Sequence, residues 1–342
     1  MSKIIYIRKE LNLVEHRTAI IPNDIKTLIK NDLIVYVEKS GSRIYCDEEY
    51  EKNGAIVTEK PWWDRQFKDS LIVGLKEIDL NKLTGNKHLF FSHSYKNQIG
   101  SREILGKFKC SNSIIYDFEY FLDNSKKRII SFGLFAGITG CLLGIMQLIN
   151  KRLNNKNINN LNYWDNKDII INNIKDKIIL FDDIKIAIIG GNGNCGNGVT
   201  QILSELNIPH TIFYKDSDKS LLKYFDIVYN CITLNENYTE TWFDKNTSFE
   251  KPLIIVDISC DYAKNNNPIK LYDKETTWEK PVYSYNNFVD IIAINNLPSL
   301  LPKESSDYFS KKCLSLLLNM GNDDNYVWEK NENIFCEKIS SI

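Results

Sequence analysis

Short apolar runs alternate with amphipathic stretches along most of the chain. In the first third, the runs at 4–7, 33–38, 71–75, 88–92 and 113–116 have the length and apolar content of buried strands. Between them, 22–30, 47–53 and 97–108 carry apolar residues at helical spacing, and Pro22 sits at the first turn of the first helix. Strand and helix in alternation predict a parallel sheet with crossover helices. The pattern returns later, with strands at 185–189, 211–214, 227–230, 253–257 and 282–283. A last helix, 305–320, is expected to pack back on the first half.

Two stretches between these halves break the alternation. Residues 132–149 are almost continuously apolar and flanked by Lys126, Lys127, Arg128, Lys151 and Arg152. The length approaches that of a membrane span. Gly133, Gly137, Gly140, Gly144, Thr139 and Gln147 within it, and no second such segment, favour a closely packed core helix instead. Residues 151–183 are rich in Asn and Lys and read as a polar surface insertion. The fold class expected is therefore α/β: two Rossmann-like domains with parallel sheets, separated by a cleft. The first covers 1–131 and is completed by 303–342; the second covers 132–302 and contains the insertion.

Composition narrows the function classes. The 342 residues carry 43 Lys and Arg against 44 Asp and Glu, a net charge of −1, so bulk electrostatics give no reason to expect nucleic-acid binding. Hydrophobic residues at 43% suit a globular protein rather than a membrane one. Eight cysteines are scattered with no C-x-x-C pair, so no metal site is expected and a reducing, cytoplasmic setting is. The chain opens directly on a strand, with no secretory pattern before Ile4.

The string KIAIIGGNGNCGNGV at 185–199 is a strand, a glycine turn and a helix start. Gly191, Gly193 and Gly196 fit the dinucleotide fingerprint: one for the turn, one for backbone approach to pyrophosphate, one for helix–strand packing. Asn194 and Cys195 lie inside the turn, where helix-start N–H groups face phosphates. About twenty residues on, Asp216 follows the next strand, where an acid accepts hydrogen bonds from the adenosine ribose and disfavours a 2′-phosphate. The expected cofactor is NAD. Cys195 lies inside the turn and Cys231 ends a later strand, and adjacent parallel strands could bring them together; they read either as small buried residues or as a reversible pair.

Three clusters in the first half could do chemistry. Arg17, in VEHR at 14–17, offers a fork suited to a carboxylate substrate, or pairs with Glu15 at the surface. Lys76 and Glu77 end an apolar strand, where partial desolvation lowers a lysine pKa; a solvated charge pair is the alternative. His93, one of four histidines, follows another strand and can exchange a proton near neutral pH, unless it is a satisfied core residue. Together at strand ends, the three favour a site.

In this order the clusters resemble the saccharopine dehydrogenases of the fungal, lysine-forming type, within the alanine dehydrogenase and transhydrogenase fold superfamily. The resemblance rests on VEHR at 14–17, GLKE at 74–77, SHSYKNQ at 92–98, YDFE at 116–119 and FGLFAG at 132–137. It continues through the glycine turn, VDIS at 256–259 and NLPSLLP at 296–302. It implies Lys76 and His93 as an acid–base pair tuned by Glu77 and Glu119. It implies Arg17, Arg128, Lys96 and Gln98 as substrate contacts, Phe132 as a hinge, and Cys195 with Cys231 as a pair able to bridge near the cofactor. The implied reaction converts saccharopine, NAD and water reversibly to lysine, 2-oxoglutarate and NADH, in a monomer with no nucleic-acid or membrane partner. Where such proteins carry a second arginine and an acid, this chain has Lys127 and Asn295. A related imino-acid or opine-type dehydrogenase, or a dinucleotide-binding regulator without catalysis, are the other readings.

Overall fold

The computed structural model describes residues 3–96, 100–234, 238–262, 264–320 and 326–342. The chain divides into two compact units, Met1–Ser131 with Pro302–Ile342, and Phe132–Leu301. The first begins with β1 (Ile4–Ile7), α1 (Pro22–Lys30), β2 (Ile34–Glu38), α2 (Asp47–Lys52) and β3 (Ile56–Thr58). It continues with β4 (Leu71–Val73), β5 (Lys87–Phe90), α3 (Ser101–Cys110) and β6 (Ile114–Asp117). The second unit contains α4 (Gly133–Asn154), α5 (Lys167–Ile178), β7 (Ile186–Ile189), α6 (Asn194–Glu205), β8 (His210–Phe213) and β9 (Ile227–Asn230). It ends with β10 (Leu253–Asp257), β11 (Tyr283–Ser284) and β12 (Val289–Ile292). The chain then returns to the first unit as α7 (Pro302–Leu318) and α8 (Tyr326–Ser340).

The first sheet has the order β3-β2-β1-β4-β5-β6, and every pairing is parallel. Its central strands are buried on both faces, which is why they read as continuous apolar runs. Tyr6, Phe67, Ile72, Phe90, Phe108 and Phe335 belong to one apolar cluster beside the sheet. His88 lies in the same layer, its ring edge-on to Trp62 (5.0 Å) and Phe108 (5.4 Å). α7 ties onto α1 through two serines: Ser306 Oγ accepts from Thr18 N at 3.0 Å, and Ser310 Oγ from Ile21 N at 2.9 Å.

The second sheet has the order β11-β12-β10-β9-β7-β8, parallel apart from the short β11 pairing. α4 is, among the described residues, the one helix long and apolar enough to cross a membrane. Its apolar window is 72% buried within the protein. Its glycines set that packing. A Cβ on Gly137 would lie 1.9 Å from the Cys195 carbonyl oxygen, and one on Gly198 would lie 2.1 Å from that of Leu134, so α4 and α6 touch backbone to backbone.

Two expectations are corrected here. The polar stretch 151–183 is not a plain insertion: it holds the last turn of α4 and all of α5. Ile171, Ile174 and Ile178 form a buried stripe at helical spacing beneath the Asn and Lys. Asn166 caps α5, accepting from Asp168 N at 2.6 Å. The helix expected at 97–108 starts at Ser101, after Gly100 at φ +80°. Residues 97–99, with Gln98 among them, lie outside the described residues.

Candidate active site

In the first sheet the strand order reverses between β1 and β4. Ligand crevices of open α/β sheets form at the carboxyl ends of strands beside such a switch point. The segments leaving β1, β4, β5 and β6 carry Arg8, Glu10, Glu15, Arg17, Lys76, Glu77, His93, Lys96 and Glu119.

Arg17 does pair with Glu15, but not at the surface. Both side chains are almost wholly buried, with Nε to Oε1 at 2.8 Å and Nη2 to Oε2 at 2.6 Å. Burial alone would raise the Glu15 pKa; the charge and hydrogen bonds of Arg17 outweigh it, with Lys76 adding to them, and the pKa lies below the usual range. The fork is thus fixed before any substrate arrives, with two N–H groups committed to Glu15.

Lys76 is half-buried. Desolvation, then the positive charge of Arg17, lower its pKa, while Glu15, Glu77 and Glu10 oppose the shift. A lysine in this setting becomes a neutral amine at lower pH than an exposed one. His93 keeps an accessible ring, stacked 6.2 Å from Phe91, yet surrounding protein desolvates it. Desolvation and the Lys76 charge lower its pKa, and Glu119 and Glu77 pull the other way. His93 thus senses the Lys76 charge; Glu77 acts on both groups, and Glu119 on His93.

His93 has φ +50°, a conformation that L residues adopt at a cost. Asp117, at the end of β6, over-determines it. Its Oδ2 accepts from Ser92 Oγ (2.5 Å) and Ser92 N (3.2 Å), and its Oδ1 from Glu119 N (2.8 Å). Ser92 Oγ in turn accepts from Ser94 N at 3.3 Å. Asn331 on α8 receives the Asp117 N–H and donates to its carbonyl, both at 2.9 Å. Burial pushes the Asp117 carboxyl up to about 6, against these hydrogen bonds. One buried acid thus places both the His93 loop and Glu119. Glu119 joins Lys96 (2.7 Å) and Arg128 (3.1 Å). Burial raises its pKa, but Arg128 and Lys96 prevail and hold it low. Lys127 is exposed.

The second unit carries the nucleotide signature, again at a switch point, between β7 and β9. The residue that needs the left-handed conformation is Gly190, at φ +80°, rather than Gly191, the fingerprint's first glycine. Gly191 and Gly196 serve close packing instead: a Cβ on Gly196 would lie 2.4 Å from the Gly191 carbonyl oxygen. Gly193 differs. Among the described residues a Cβ there meets nothing nearer than 3.9 Å, so their packing does not require glycine at 193. It precedes Asn194 at the start of α6, in the open space where a phosphate would approach the helix end. The residues thus fit a dinucleotide. Asp216 is exposed just past β8. Cys195 and Cys231 are free thiols in hydrogen-bond contact, and burial followed by that contact pushes the Cys231 thiol up. Among the described residues no cluster of His, Cys, Asp and Glu could hold a metal ion.

Arg8, Glu10, Asp117 and Asn331 escaped the sequence reading. Charged residues directly after β1 were a signal for the first two. A buried asparagine partner on α8 has no local signature.

Residues 6–139 match the family model of the alanine dehydrogenase/PNT N-terminal domain, and residues 247–339 that of its C-terminal domain. Saccharopine dehydrogenase [NAD(+), L-lysine-forming] of Schizosaccharomyces pombe is 30% identical, over 99% of this chain and 99% of its own length. The protein of that name from Emericella nidulans is also 30% identical, over 100% of this chain and 98% of its own. Among solved structures, an L-alanine dehydrogenase superposes with a TM-score of 0.74 over 97% of this chain and 93% of its own, at 14% identity, a likeness of fold. With full-length identity at this level and both domain models matched, the chain belongs to the lysine-forming saccharopine dehydrogenase family.

Proposed function

We propose that the protein is an NAD-dependent saccharopine dehydrogenase that converts saccharopine and water to L-lysine and 2-oxoglutarate, reversibly. The observation that carries the reading is one charged cluster, at the carboxyl edge of the first sheet, in which Lys76 and His93 both have lowered pKa values. NAD, when bound, accepts the hydride from the carbon beside the secondary amine of saccharopine. Gly193 and the start of α6 would hold its pyrophosphate, and Asp216 its adenosine ribose.

The rest of the reaction moves protons, and two bases divide the work. One takes the proton of the secondary amine as the carbon–nitrogen double bond forms. The other takes a proton from the water that attacks the resulting imine. The carbinolamine collapses when a proton returns to the departing nitrogen, which leaves as lysine. Neutral Lys76 and neutral His93 suit these steps, because desolvation makes each available as a base at lower pH than usual. Glu119 and Glu77 beside His93, and Glu15, Glu77 and Glu10 beside Lys76, supply the opposing negative charge that keeps both groups able to hold a proton as well. Arg128 and Lys96 sit where substrate carboxylates would compete with Glu119 for them. The reading takes the protein as a cytoplasmic monomer; eight free thiols support a reducing setting.

The test is NADH oxidation by purified protein given lysine and 2-oxoglutarate together. Turnover that requires both supports the reading. NADH binding without turnover contradicts it, and a panel of other amines and oxo acids then separates a shifted substrate from a non-catalytic protein.

A further inference from the structure

The charged cluster contains an ion pair that the proposed chemistry does not touch. Arg8 and Glu10 follow β1, with side chains 3% and 6% exposed and Nη1 3.1 Å from Oε2. Two charges taken from water cost about as much as their attraction returns, so such a pair is poor evidence of stabilisation. Its presence calls for another account, and the hydrogen bonds give one.

All four main-chain polar groups of Leu75 and Lys76 can be followed to a partner. The Leu75 N–H donates to Glu10 Oε1 at 2.7 Å, and the Lys76 N–H to Glu10 Oε2 at 2.9 Å. The Lys76 carbonyl accepts from Arg8 Nη2. The Leu75 carbonyl accepts from Phe91 N at 3.1 Å, on the segment that runs on to His93. Arg8 is fixed in turn: its N–H donates to the Val73 carbonyl at 2.9 Å, and its Nη1 donates to the Lys9 carbonyl at 3.2 Å. Gly74 completes the arrangement. A Cβ there would lie 2.3 Å from the Arg8 guanidinium carbon, so the fork crosses the strand end only because residue 74 has no side chain.

We propose that Arg8 and Glu10 are positioning residues that clamp the Leu75–Lys76 peptide so that the Lys76 amine starts from one fixed point relative to His93. The proposal rests on Lys76 acting as an acid–base group. A flexible lysine gains from a fixed root, because acid–base catalysis depends on reach at the level of an ångström or less. The carboxylate of Glu10 meets two adjacent N–H groups with two oxygens, a match that a neutral amide cannot reproduce. Glu10 also adds negative charge beside Lys76, alongside Glu15 and Glu77 and against Arg17.

The test is Glu10→Gln, made in the wild-type and in the Lys76→Met backgrounds, with the intact chain and the NADH oxidation assay. In the wild-type background kcat is expected to fall by about tenfold or more, with KM for NADH changed by less than about twofold. The limb of the pH profile that belongs to Lys76 moves to lower pH, because one of the charges favouring its protonated form is gone. In the Lys76→Met background the same substitution costs less than about twofold, since there is no amine left to position. Equal losses in the two backgrounds, or wild-type kcat in Glu10→Gln, would overturn the proposal. Should Glu10→Gln fail to fold, Arg8→Lys gives the same reading, because one ammonium cannot span both Glu10 and the Lys76 carbonyl. Lys76→Met with full activity would instead remove the acid–base role itself, a result visible before Glu10 is considered.

Discussion

His88 makes the stability of the first unit depend on pH in a way that can be calculated. Its ring is buried in β5 between Trp62 and Phe108, and neither ring nitrogen has a hydrogen-bond partner among the described residues. Desolvation, with a smaller contribution from the Arg8 charge, depresses its pKa from 6.5 to about 3. Between those values the unfolded chain binds the proton and the folded chain refuses it. Stability is therefore lost as the pH falls below the unfolded value. From about pH 7.5 to about pH 5, linkage gives a loss of about 2 kcal/mol from this group. Asp117 works in the opposite direction. Its folded pKa of about 6 lies above the unfolded 3.8, so it gains a proton more readily in the folded state. Over the same interval it adds about 1 kcal/mol of stability, which hides much of the histidine effect in the wild type.

The two are separated by His88→Leu, which removes the imidazole and leaves Asp117 in place. Hydrogen exchange of peptides from β4 to β6, corrected for intrinsic rates, reads the free energy of opening in each protein at both pH values. Whatever the leucine costs or gains in packing is the same at both pH values and cancels. The wild type should lose about 2 kcal/mol more than the variant on acidification. Parallel behaviour, within about 0.5 kcal/mol, would mean that folded His88 accepts a proton and that its burial without partners is wrong.

Other outcomes follow from the site and the helix packing. Lys76→Met and His93→Gln should each lower turnover by about a hundredfold or more, read as steady-state NADH oxidation; unchanged turnover in either removes that residue from the mechanism. Asp216→Ala should weaken NADH binding and reduce discrimination against NADPH, measured by fluorescence titration with both; an unmoved preference would place the ribose contact elsewhere. Gly137→Ala pushes a methyl group into the Cys195 carbonyl and should destabilise the second unit by about 1–3 kcal/mol, seen as a lower thermal midpoint and weaker NADH binding. An unchanged midpoint would mean that α4 and α6 are less closely packed than described.

The sequence was most legible where local pattern and burial agree. β1, β9 and β10 are short apolar runs buried on both faces, and Pro22 marks the start of α1. α5 was hidden because its three buried isoleucines sit among Asn and Lys that dominate the composition. β12 was missed because Asp290 interrupts its apolar run; that acid is buried and held by Gln147 (3.0 Å), Lys151 (3.0 Å) and Ser284 (2.6 Å). Lys76 and His93 stood out because a charge or an imidazole directly after an apolar strand has few structural uses. Their supports did not. Glu10 reaches peptides 65 and 66 residues away, and Asn331 reaches one 214 residues away, so only the folded topology brings them together.

In this mechanism a desolvated lysine and a histidine share the proton transfers of one reaction. The pH dependence of kcat/KM for saccharopine oxidation, in wild type and in Lys76→Met, tests it most directly. The wild type should rise through two ionisations as both bases lose their protons, and the variant, slowed throughout, should show one ionisation fewer. The same two ionisations in both proteins would contradict the claim.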